Sequence, residues 1–169
     1  MTSIVRYLTA IIVWIRLLFP RGYSSVVFLD FDGVLAPITD DTEDARDGYG
    51  VKFNAECAKN LNSLIKATNA KIVITSSWRQ YLSLWQLRRM WRQRNMLGEI
   101  VGVTPIMSIY RGNEIDEWLK RNRPTHYVII DDMDSRQFGE HHIPHLVTCN
   151  GRVGVTGSDV RDAITKLTK

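Results

Sequence analysis

Two aspartates, Asp30 and Asp32, stand two residues apart at the end of the apolar run Ser25-Val26-Val27-Phe28-Leu29, with Gly33 directly after them. Two carboxylates held this close beside a hydrophobic wall repel each other, and one pKa rises unless a cation joins them. The pair asks for a metal ion. What positions it is a strand: a short, largely β-favouring apolar run that opens into a polar loop reads as a strand buried on both faces. Open α/β sheets place their chemistry at that C-terminal edge. Residues two apart on a strand point the same way, provided the chain has not left the strand at Phe31.

The rest of the chain supplies the elements that such an edge needs. Asn54 is the predicted cap of a helix running to about residue 68, with Cys57, Leu61, Leu64, Ile65 and Thr68 on one face. Residues 70–75 read as a second buried strand, so strand, helix and strand form one βαβ unit with a right-handed crossover. Thr75 and Ser76 then emerge on the same edge as Asp30. A helix is expected over residues 80–94, with Leu82, Trp85 and Trp91 toward the core and Arg88, Arg89, Arg92 and Arg94 on a solvated basic face. Interleaved Arg and Trp would also suit stacking on bases, although the amphipathic pattern explains them without a ligand. Further strands are expected at 99–103, 126–130 and 145–149. A helix opens at Arg111-Gly112-Asn113 with Ile115, Trp118 and Leu119 on one face, and a last helix is capped by Ser158. The expected fold is α/β, three-layered and Rossmann-like, around a mainly parallel five-stranded sheet.

At 169 residues the chain holds one domain with a sizeable core and is too short for two of ordinary size. Net charge is +4 and the sequence pI is about 9.2, which favours phosphate-bearing partners only modestly. Cys57 and Cys149 give neither a disulfide framework nor metal-ligand spacing and fit a reducing cytoplasm as small apolar fillers. Residues 1–22 form a separate hydrophobic and basic segment, with the domain expected over 23–169. Residues 4–19 are apolar apart from Arg6, Thr9 and Arg16. That run falls short of the roughly 20 residues that span a bilayer, and it lacks a small-x-small cleavage site. An interfacial or anchoring helix, giving peripheral membrane association, and a helix packed on the domain or a partner both stay open. Residues 37–51 read as a loop or small flap whose acidic residues Asp40, Asp41, Glu43, Asp44 and Asp47 lack the pattern of a calcium loop. His141, His142 and His145 resemble a metal cluster, but surface or packing roles are preferred.

Asp-Phe-Asp-Gly-Val-Leu at residues 30–35 resembles the first signature of the haloacid-dehalogenase-like (HAD) hydrolases. Three later stretches follow in that family's order: Lys71-Ile72-Val73-Ile74-Thr75-Ser76-Ser77-Trp78-Arg79, Arg111-Gly112-Asn113-Glu114-Ile115 and Tyr127-Val128-Ile129-Ile130-Asp131-Asp132. The wording is most similar to the subgroup associated with Swiss-army-knife RNA repair proteins. The resemblance implies a phosphatase in which Asp30 is the nucleophile and forms an aspartyl-phosphate. It implies that Asp32 protonates the leaving group and then activates water, and that Thr75, with Ser76, bonds a phosphoryl oxygen. It implies a Mg²⁺ held by Asp30, the carbonyl of Asp32 and Asp132, with Asp131 the second choice for that last position. Arg111 stands where many relatives have Lys, so its reach to both phosphate and Asp30 is open. Arg79 is expected to hold either the loop or the substrate. The insertion after the first strand is too short for a cap domain, which leaves the site comparatively open.

Two rival classes deserve comparison. A phosphoacceptor receiver domain places its acceptor Asp after the third strand, and no Asp follows 99–103 here. A catalytically idle HAD-like module that binds nucleic acid or a membrane has no need of Asp32. An open site admits the end of a nucleic acid or a phosphoprotein side chain, and the basic helix together with the resemblance to RNA repair proteins favours the 3′-phosphate ends of nucleic acids, with phosphoproteins and small phosphorylated metabolites as alternatives.

Overall fold

The computed structural model describes residues 22–40 and 42–168. The expected N-terminal helix over 4–19, and Asp41 of the acidic loop, lie outside the described residues. Five strands form one parallel sheet: β1 (Ser25–Leu29), β4 (Lys71–Ile74), β5 (Ile100–Val103), β6 (His126–Asp131) and β7 (Leu146–Thr148), in the order β5-β4-β1-β6-β7. The two remaining strands, β2 (Arg46–Asp47) and β3 (Gly50–Val51), make a small antiparallel hairpin between β1 and the first helix. The predicted flap is this hairpin with two 3-10 turns before it.

β1 is the centre of the sheet because Val26, Val27, Phe28 and Leu29 are all inaccessible to solvent, as a strand covered on both faces must be. Helices α1 (Ala55–Thr68), α2 (Leu84–Gln93) and α4 (Gly157–Leu167) cover one face. There Leu61, Leu64, Leu87, Met90 and Ala163 pack with Val27, Leu29, Ile72 and Ile130. Helix α3 (Arg111–Asn122) covers the other with Ile115 and Trp118 against Val26, Phe28, Val73 and Ile129. Alternate residues of β1 thus belong to opposite cores. The chain steps from β1 outward to β5 and then returns to β6 on the other side of β1, so β1 and β6 border the topological switch point where such sheets bind ligands.

Local chemistry fixes the helix ends. The Asn54 side chain accepts from the amides of Glu56 and Cys57 at 2.9 and 3.2 Å, as expected of its cap. Two boundaries differ from expectation. Helix α2 begins at Leu84 rather than residue 80 because Ser83 and Gln86 form a reciprocal capping box, and Ser77–Gln80 is a separate 3-10 turn. Its buried stripe is Leu87, Met90 and Trp91, at helical spacing, while Trp85 on the opposite side is 61% exposed. Helix α4 is capped by Thr156, paired with Asp159, and not by Ser158. Cys57 and Cys149 are buried free thiols, and burial raises the pKa of each. Among the described residues no helix is long and apolar enough to cross a membrane.

Candidate active site

Parallel register delivers the site residues together. Leu29 pairs with Ile74 on one side and Ile130 on the other. The ladder runs one step further, with Asp30 N–H donating to Ile130 O (3.1 Å) and Thr75 N–H to Leu29 O (2.9 Å). Asp30, Thr75 and Asp131 therefore leave the sheet side by side. After β1 the chain folds tightly back, the Phe31 carbonyl accepting from the amides of Val34, Leu35 and Ala36. Gly33 sits in that turn at φ +70, where a Cβ would come within 2.0 Å of Asp132 Oδ2. Gly151 leaves room on another side of the same oxygen, a Cβ there reaching it at 2.5 Å.

Carboxylate oxygens of Asp30, Asp131 and Asp132 lie within 4.8 Å of one another. Arg111, at the start of α3, places Nη1 2.7 Å from Asp30 Oδ2 and 2.6 Å from Asp131 Oδ2. Its reach to Asp30 is thereby answered: one nitrogen bridges two buried carboxylates. Burial disfavours the guanidinium's charge, yet Asp30 and Asp131 more than offset this and raise its pKa. Burial first, and the charge of Asp30 second, push the Asp131 carboxyl up to about 7. The same two causes raise Asp132, which is half-buried and has no ion pair among the described residues. Asp30 Oδ1 accepts from the Phe31 amide at 2.8 Å. Thr75 Oγ1 is buried and has no hydrogen-bond partner within the protein, which leaves it to bond a water or a ligand.

Asp32 is exposed and is not one of the three clustered carboxylates. Its carboxylate accepts from the Trp78 indole N–H. Ser76 is buried, and its hydroxyl caps the 3-10 turn by accepting from Trp78 N–H at 3.4 Å. Arg79 fills the loop-holding role of its two expected ones. It donates to the carbonyls of Thr75, Ser76 and Thr104 and pairs with Glu114, its side chain almost wholly buried. Glu114 also accepts from the amides of Met107 (3.1 Å) and Ser108 (3.4 Å), so this one pair ties the loops after β4 and β5 to α3.

Sequence reasoning passed over Trp78, Glu114 and the two glycines. Glu114 had a signal: a lone carboxylate beside Ile115 on the buried face of a helix demands a cation. Of the histidines, His141 and His142 converge on Asp116 at 2.9 and 3.2 Å, whereas His145 bonds the Tyr127 carbonyl instead. His142 is fully buried and burial lowers its pKa, and ligand atoms of Asp116, His141 and His142 lie within 4.8 Å of one another, close enough that they could hold a metal ion.

A parallel sheet whose switch point gathers three carboxylates, a bridging arginine and an unsatisfied threonine defines a HAD-type hydrolase domain. The chain belongs to the family described as the HAD domain in Swiss Army Knife RNA repair proteins, whose model matches residues 26–160. No curated protein matches the chain.

Proposed function

We propose that the chain is a Mg²⁺-dependent phosphatase that works through an aspartyl-phosphate on Asp30, with nucleic-acid 3′-phosphate ends as its substrates. The observation that carries this reading is the convergence of Asp30, Asp131 and Asp132 beside Arg111 and the orphan hydroxyl of Thr75. Three carboxylates within 4.8 Å offer only hard oxygen donors, which suits magnesium. Asp30, Asp132 and the carbonyl of Asp32 would hold the ion, beside the Arg111 nitrogen that bridges Asp30 and Asp131. When bound, it relieves the charge repulsion between carboxylate and phosphate.

The protein's own groups supply the rest. Asp30 forms the new O–P bond as the bond to the leaving oxygen breaks, and Asp32 hands that oxygen a proton. Asp32 then takes a proton from the water that releases phosphate from Asp30. Thr75 Oγ1 donates to a phosphoryl oxygen, and Arg111 holds Asp30 in place while lending positive charge. Arg79 and Ser76 shape the loop that presents Thr75. The family's association with RNA repair proteins supports a nucleic-acid end as substrate. An assay of a generic aryl phosphate with and without Mg²⁺, beside Asp30→Asn, tests the reading: activity that ignores the metal or survives the substitution would overturn it.

A further inference from the structure

A cavity of about 530 Å³ opens beside Asp32, lined by Arg46 and Tyr49 of the hairpin region and by Ser77, Trp78 and Tyr81 after β4. We propose that this cavity is the subsite of the leaving group, and that its occupant is the terminal nucleoside of a single-stranded nucleic acid. The strand continues over Tyr81, Trp85 and Arg89. The inference rests on the phosphatase reading above. In an in-line displacement the acid stands at the departing oxygen, away from the nucleophile. The body of the leaving group therefore lies past Asp32, where this cavity is.

Two independent observations choose the occupant. Tyr81 is 82% exposed and Trp85 61% exposed, large rings left open to solvent beside the cavity and on the helix that follows it. Arg89, four residues after Trp85 and on the same helix face, holds its guanidinium 5.4 Å from the Trp85 ring centroid. Open rings interleaved with cations form a platform on which successive bases stack. The second observation is charge. No aspartate or glutamate occurs between Glu56 and Glu99, whereas five arginines fall within residues 79–94. Arg79 and Arg94 are taken up by Glu114 and Asp47, but Arg89 and Arg92 are exposed. Exposed arginines on the helix that follows the cavity favour a polyanion, with a phosphate at every residue, over a phosphopeptide or a small ester. The cavity is of a size that takes a nucleoside.

The experiment compares a 3′-phosphorylated single-stranded oligonucleotide with glycerol phosphate. Binding of the fluorescent oligonucleotide is followed by anisotropy with Asp30→Asn protein, alone and with Tyr81→Ala or Arg89→Glu/Arg92→Glu added. Hydrolysis of both esters is followed with the wild-type chain and Tyr81→Ala. The expected result is about tenfold weaker oligonucleotide binding for Tyr81→Ala and a smaller salt dependence for the double arginine variant. The oligonucleotide's loss in kcat/KM should fall in KM and exceed the loss for glycerol phosphate. Magnesium-dependent hydrolysis of glycerol phosphate without oligonucleotide binding, or binding indifferent to Tyr81, overturns the subsite and leaves the phosphatase reading standing. Binding through Tyr81 with no hydrolysis of either ester overturns the phosphatase reading, and the leaving-group assignment with it.

Discussion

The indole nitrogen of Trp78 lies 3.0 Å from both carboxylate oxygens of Asp32. The ring is itself fixed, edge-on to Phe31 at 5.4 Å and tilted against Phe53 at 6.3 Å. A solvent-exposed acid is thus held in one orientation by a group anchored in the core. Trp78→Phe removes the N–H together with one of the two fused rings. It should lower kcat about tenfold, against the 10²- to 10⁴-fold loss, in order of magnitude, for Asp32→Asn. Trp78 also lines the cavity beside Asp32, so its part in orienting the acid is read in kcat rather than in KM. Steady-state kinetics on one ester decides: an unchanged kcat would mean that Trp78 does not orient the acid.

Gly33 and Asp132 occupy the same few ångströms. A methyl group at residue 33 would overlap Asp132 Oδ2, and the positive φ adds a backbone cost of about 1–2 kcal/mol. Gly33→Ala should therefore displace the carboxylate most available to a cation. The expected outcome is a rise of at least about tenfold in the Mg²⁺ concentration for half-maximal activity. A magnesium titration that overlays the wild type would remove Asp132 from the metal site.

Proton linkage gives a third expectation. In the unfolded chain an aspartate titrates near pH 3.9, whereas burial and Asp30 push Asp131 up to about 7 and raise Asp132 as well. Between about pH 4 and pH 7 Asp131 and Asp132 of the metal-free folded chain hold protons that the unfolded chain has released, so the stability these two groups contribute is lost as pH rises through that window. They outweigh the single opposing group, His142, whose pKa burial lowers. Magnesium binds the ionised carboxylates and should cancel the loss. Urea unfolding at about pH 5 and about pH 8 checks this. Without Mg²⁺ the midpoint should be higher at the lower pH, and Mg²⁺ should narrow the gap. A metal-free midpoint that rises with pH would contradict it.

How far the sequence alone reaches depends on the range of each interaction. Asp30, Thr75 and Asp131 were legible because each follows an apolar run of strand length, and parallel register does the rest. All five sheet strands could be read for the same reason. Contacts made across long stretches of sequence were not legible: Trp78 with Asp32 is 46 residues apart and Arg79 with Glu114 is 35. Local competition misplaced two boundaries. Ser83 and Thr156 each find a capping partner three residues on, which residue 80 and Ser158 do not. The exposure of Trp85 follows from helical spacing: two residues before Leu87 and six before Trp91, it lies on the side of α2 away from the buried Leu87, Met90 and Trp91 stripe.

The Arg79–Glu114 pair carries its own expectation. Both side chains are about 95% buried and join the Thr75 loop, the Met107 loop and α3. Removing one charge strands the other, a change that costs about 3–5 kcal/mol at buried pairs. Glu114→Gln should lower stability on that scale in urea unfolding and reduce activity through loss of loop position. A loss under about 1 kcal/mol, as at a surface pair, would show that the two charges are solvated in solution.

The central claim is that Asp30 carries the phosphoryl group during turnover, and chemical trapping tests it most directly. Borohydride reduces an acyl phosphate to the alcohol but leaves a free carboxylate intact. Quenching the working protein into borohydride and sequencing its peptides by mass spectrometry should find reduction at Asp30, dependent on both substrate and Mg²⁺, with Asp32, Asp131 and Asp132 unmodified. Turnover with no reduction at Asp30, or reduction at a different aspartate, would contradict the account.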